Sequence, residues 1–149
     1  MLPIIRKTLI AFFVTISMVI SINAQDSKSV EVVEVQLDGY CPVAYLMMEK
    51  AVEGDAKYSS TYEGEIYYLA NADAKKMLDA EPEKYLPKYD GYCATAVAMD
   101  KLMESEPQLF SVYDGATYLF SNQMAKESFD KDPQMTIKNA NKNFASLMN

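Results

Sequence analysis

Asp38-Gly39-Tyr40-Cys41 and Asp90-Gly91-Tyr92-Cys93 are one tetrapeptide written twice, 52 positions apart, and together they hold both cysteines of the chain. The second copy sits in Tyr85-Leu86-Pro87-Lys88-Tyr89-Asp90-Gly91-Tyr92-Cys93 and runs on into Ala94-Thr95-Ala96-Val97-Ala98. Downstream of each copy the likeness continues. Gly64, Tyr67, Asn71, Ala74, Lys75 and Pro82 recur as Gly115, Tyr118, Asn122, Ala125, Lys126 and Pro133 at a constant spacing of 51. Leu69 and Leu78 recur conservatively as Phe120 and Phe129. The chain therefore reads as two related halves, about 38–89 and 90–149. Each is too small to bury an apolar face alone, so the two are expected to pack as one domain.

The local pattern of each half is a turn, a hairpin and helices. Tyr58–Tyr62 and Glu65–Leu69 flank Glu63-Gly64, while Leu109–Tyr113 and Ala116–Phe120 flank Asp114-Gly115; both dipeptides are hairpin turns. Asn71 and Asn122 are N-caps for the helices that follow, and Pro82 and Pro133 open further helical turns. Pro42 biases Cys41 to an extended backbone, which places that cysteine on a turn. Val30–Leu37 alternates as a half-buried strand, Met47–Asp55 reads as a loop or short helix, and Cys93–Met103 is compatible with a helix anchored by Val97 and Leu102. The last helix should show Ile137, Ala140, Phe144 and Leu147 on one face.

Residues 1–24 have the order of an export signal: basic Arg6 and Lys7, an apolar stretch from Thr8 to Ile20, then Ser21-Ile22-Asn23-Ala24 before a cut at Gln25. Residues 25–37 form a lead and a strand ahead of the domain at 38–149. The expected product is periplasmic or secreted, with no stable membrane anchor once the signal is removed. The whole chain carries −7, and removing Arg6 and Lys7 leaves −9, a charge that repels nucleic acid and anionic lipid. The sequence has no histidine, which removes the commonest general base, the usual partner of a nucleophilic serine or cysteine, and every imidazole metal site. The carboxylates show neither paired-acid nor calcium-loop spacing. The expectation is a protein that is not an enzyme.

Pro42-Val43, Gly64-Glu65-Ile66-Tyr67-Tyr68-Leu69 and Glu81-Pro82-Glu83-Lys84-Tyr85-Leu86 give the first half a resemblance to the YHS domain. That family runs from an Asp-Pro-Val segment through a Gly-x-x-Tyr-x-Phe hairpin into a helix and closes on Asn-Pro-Glu-Lys-Tyr-Leu. Gly91–Val97 matches the Gly-Tyr-Cys-Ala-x-Ala-Val of its secreted branch. Tyr40–Leu46 matches that branch's Tyr-Asp-Pro-Val-Ala-Tyr-Phe, with Cys41 where aspartate is usual. The resemblance implies an α+β fold: a single small domain of two related turn–β-hairpin–helix units, YHS or treble-clef-like. In the metal-binding branch three cysteines hold a soft metal. Those positions fall on Ala44, Ala70 and Ala74, so the family's ordinary site is missing and a metal would need other ligands.

Three readings of Cys41 and Cys93 stand side by side. An even cysteine count in an exported chain suits a disulfide. Two thiolates with the thioethers of Met47 and Met99 suit Cu(I), which makes copper the one candidate cofactor. Two buried free thiols are the third. Tyr40, Tyr45 and Tyr92 beside the cysteines are candidates to line a ligand pocket. The function expected from sequence is a non-catalytic binding module with a Tyr/Cys-centred site for a soft metal or a small ligand. The alternative is a disulfide-stapled structural or protein-interaction domain with no metal, and its partners are unknown.

Overall fold

The computed structural model describes residues 34–149, which fall within one contact unit. The export signal at 1–24 and residues 30–33 of the expected first strand lie outside the described residues. Among the described residues the chain is a small mixed α/β domain of six α-helices and two two-stranded antiparallel sheets.

The first half runs from a 3-10 turn at Gln36–Gly39 through helix α1 (Pro42–Met48), strands β1 (Asp55–Tyr62) and β2 (Glu65–Leu69), and helices α2 (Ala72–Ala80) and α3 (Pro82–Tyr85). The second repeats that order with a turn at Lys88–Gly91, α4 (Ala94–Ala98), β3 (Glu106–Tyr113), β4 (Ala116–Phe120), α5 (Gln123–Lys131) and α6 (Pro133–Leu147). Even the irregularities coincide. The register of β1 on β2 shifts between Asp55 and Ser59, and that of β3 on β4 between Glu106 and Phe110. Asn71 accepts from the N–H groups of Asp73 and Ala74, and Asn122 from that of Ala125, so both caps act as expected.

A polar clamp binds each long helix to its hairpin. Ser60 donates to Asp79 at 2.6 Å while Lys75 reaches the other carboxylate oxygen at 2.9 Å. In the second half Ser111 donates to Asp130 at 2.6 Å and Lys126 does the same from the opposite side, also at 2.6 Å. Burial pushes the Asp130 carboxyl up, but the bonds from Lys126 and Ser111 outweigh it and leave it low. Asp79 is held low by the bonds from Ser60 and Lys75.

The two halves keep separate cores. Leu69, Leu78, Tyr85 and Cys41 close the first, and Phe120, Phe129, Val97 and Cys93 the second. Phe129 is the hub of the second, with ring centroids 4.9 Å from Tyr118 and 5.1 Å from Phe120. Each such side chain taken fully from water is worth roughly 1.5–3 kcal/mol. Ile137, Ala140, Phe144 and Leu147 all pack on this core, as the periodicity of α6 requires. Tyr45 joins the halves: fully buried, it donates to the Pro107 carbonyl at 2.9 Å, and its ring lies 4.8 Å from Phe110.

Two expected elements come out shorter. The strand does not reach Leu37, because Val35 makes one parallel bridge to Ile66 and Leu37 then turns left-handed at φ 56°. The helix after Cys93 stops at Ala98, since Asp100 is left-handed and the Cys93 N–H is tied to the Met103 carbonyl at 2.9 Å. That bond folds residues 99–103 back on the surface, and Leu102 is exposed instead of anchoring a core. Conversely, the segment before residue 49 is ordered as α1, with Pro42 at its first turn.

Candidate functional site

Both Asp-Gly-Tyr-Cys segments fold into the same strained turn. Leu37, Asp38 and Gly39 have φ of 56°, 48° and 81°, and Tyr89, Asp90 and Gly91 repeat this with 61°, 50° and 79°. Three successive left-handed residues are rare, and each one with a Cβ costs on the order of 1–2 kcal/mol. A single backbone bond closes each turn, Tyr40 N–H to the Leu37 carbonyl at 2.8 Å and Tyr92 N–H to the Tyr89 carbonyl at 2.9 Å. A Cβ at position 91 would also stand 3.3 Å from the end of the Leu37 side chain, where the two turns meet.

The turns face one groove of about 250 Å³, with Gln36–Asp38 along one side and Asp90–Tyr92 along the other. Glu34, Glu65 and Glu104 complete its acidic lining, and among the described residues no lysine or arginine borders it. A smaller recess of about 140 Å³ continues from it past Glu65 to Tyr62 and Tyr67. Tyr67 donates to Glu65 at 2.6 Å, and burial together with this bond pushes the phenol's pKa up, so it remains a donor. Burial, then the nearby Glu65, pushes the Asp90 carboxyl above its ordinary range. The groove thus offers carboxylates and tyrosine faces to an occupant, and favours one with positive charge.

Of the residues expected to line a ligand pocket, only Tyr92 borders this groove. Tyr40 accepts from the Gln108 side chain at 2.6 Å, and Tyr45 is consumed by the packing between the halves. Both cysteines are free and wholly buried. Each cysteine immediately precedes its helix, and each N–H is bonded within its own half, Cys41 to the Val52 carbonyl and Cys93 to that of Met103. Each side chain then joins the core of its own half. Cys93 also accepts from Ser121 at 3.4 Å. Met47 and Met99 are 59% and 64% exposed, so the four sulfurs proposed for copper do not form one buried ligand set. Among the described residues no cluster of three or more cysteine or carboxylate side chains is arranged to hold a metal.

The sequence also carried a signal that the repeat analysis passed over. Ser60 and Asp79 recur as Ser111 and Asp130 at the same spacing as the six aligned pairs, and they complete the two clamps. No family model, no curated protein and no solved structure matches the chain. Among the described residues no helix is long and apolar enough to cross a membrane.

Proposed function

We propose that the chain is an exported, non-catalytic binding module of YHS type that holds a small ligand in the groove between its two Asp-Gly-Tyr-Cys turns. Each half is read as a treble-clef-like unit that has lost the family's thiolates at Ala44, Ala70 and Ala74. The observation that carries this reading is the duplicated left-handed turn. Backbone strain of this kind survives where a site needs it, and here both copies border one groove. Between the two ligand classes, a small cation is favoured over Cu(I), because the lining is acidic and the two cysteines belong to separate cores.

The test is amide chemical-shift mapping of the reduced, signal-free protein with putrescine as the diammonium probe and, separately, with Cu(I). Saturable putrescine shifts confined to Gln36–Asp38 and Asp90–Tyr92, lost in Asp38→Asn plus Asp90→Asn, support the reading. Silence at the turns refutes it. Tight Cu(I) binding that disappears in Cys41→Ala plus Cys93→Ala would replace it with the soft-metal reading. One observation favours the interaction-domain alternative: Met47 and Met48 at the end of α1, and Met99, Leu102 and Met103 after α4, are exposed in the two halves alike. Methionine surfaces of this sort adapt to protein partners.

A further inference from the structure

The segment Glu83–Gly91 borders a second, wider groove of about 700 Å³ whose lining carries three lysines beside Glu83 and Asp114. Helix α6 forms one wall, presenting Gln134, Lys138 and Asn141 one turn apart along a single face. Lys88 and residues Tyr113–Ala116 of the second hairpin turn also line it. Neither Lys88 nor Lys138 has an ion-pair partner among the described residues, whereas Lys84 nearby is held by Glu81 at 3.0 Å. Tyr89 donates to the Asn141 carbonyl oxygen at 2.9 Å, which leaves the Asn141 amide nitrogen as a donor.

Tyr118 adds a hydroxyl donor to this lining. It is only 6% exposed, its ring is packed on Phe129, and it lines this groove. Its hydroxyl finds no acceptor among the described residues, although Tyr89 beside it is satisfied. Burial, then the charges of Asp114 and Tyr113, pushes its pKa up, so the group is a donor at neutral pH. Its ring is buried, but its hydroxyl reaches the groove, where water or a ligand can accept from it. Two ammonium groups without ion-pair partners among the described residues, an amide and a phenol therefore line one groove, in a protein whose overall charge is −7. Glu83 and Asp114 also line the groove, where they reject polyanions and accept from hydroxyl groups.

We infer that this groove binds a small hydroxylated organic anion of the sugar-acid class. The carboxylate meets Lys88 and Lys138, a ligand oxygen accepts from Tyr118, and further hydroxyls donate to Glu83 and Asp114. Tyr113 and Ile137 supply apolar surface for the ring carbons. The site is distinct from the groove between the turns and stands without it.

The experiment is calorimetric titration of the signal-free chain at low salt with D-glucuronate, D-glucose and inorganic phosphate. Saturable glucuronate binding, stronger than that of glucose or phosphate, is the expected result. Lys88→Met plus Lys138→Met should weaken it by about tenfold or more through the loss of charge-assisted contacts. Tyr118→Phe should weaken it several-fold without lowering the urea midpoint. Asp38→Asn plus Asp90→Asn, in the other groove, should leave it unchanged. Absence of saturable glucuronate binding, or affinity unchanged in both groove variants, overturns the proposal. Phosphate binding as tightly as glucuronate overturns the sugar-acid class.

Discussion

Gly54→Ala is the sharpest test of how the halves are built. A Cβ at this position would lie 2.4 Å from the carbonyl carbon of Tyr68, 2.5 Å from its oxygen and 2.6 Å from its Cβ. Two of those atoms are backbone in β2, so no rotamer change relieves the clash. Gly54 cannot retreat either, because its N–H donates to the Gly39 carbonyl at 2.8 Å and anchors the first left-handed turn. Overpacking of about 2 kcal/mol and one lost hydrogen bond of about 1 kcal/mol give a destabilisation of about 3 kcal/mol. For a domain of this size that is a fall of about 10 °C in Tm. The control is Gly64→Ala, where nothing lies within 4 Å and only φ +89° opposes a side chain. That change should cost roughly 1–2 kcal/mol. Urea unfolding followed by circular dichroism measures both. If Gly54→Ala costs no more than Gly64→Ala, the close approach of Gly54 to β2 is not what fixes the turn, and the reasoning fails.

Further outcomes follow from single groups. The Thr117 hydroxyl is fully buried without a partner among the described residues, so Thr117→Val should raise stability by about 1 kcal/mol in the same urea assay. Cys41 and Cys93 should be inert to a thiol reagent in the native protein and both react in denaturant; fast native labelling would contradict their burial. Asp79 and Asp130 have depressed folded-state pKa values, so their stabilisation is complete above the ordinary carboxylate range and disappears as pH falls through the depressed values. Asp79→Asn plus Asp130→Asn should therefore flatten the loss of urea midpoint between roughly pH 5 and pH 2, and a parallel loss in parent and variant would remove the clamps from the account.

What the sequence determined by itself was everything encoded within a few residues or by the repeat. Asn71, Asn122, Pro82, Pro133 and the Glu63-Gly64 and Asp114-Gly115 turns act through their own backbones, so they fold as read. The repeat then supplied the order of elements in both halves. Three features needed the tertiary structure. Helix α4 ends at Ala98 because the Cys93 N–H finds the Met103 carbonyl, a bond that a helical pattern in Ala94–Met103 does not disclose. Leu37 and Tyr89 take left-handed backbones that their residue types disfavour, and only their surroundings hold them there. The cysteines look paired in sequence because they are equivalent. Equivalence places each thiol in the matching core, however, and the two halves bury separate cores instead of sharing one. A repeat fixes what each half resembles, but which side chains meet across the junction depends on packing: there Tyr45 meets Pro107 and Phe110, and Leu37 meets Gly91, while each cysteine packs into the core of its own half.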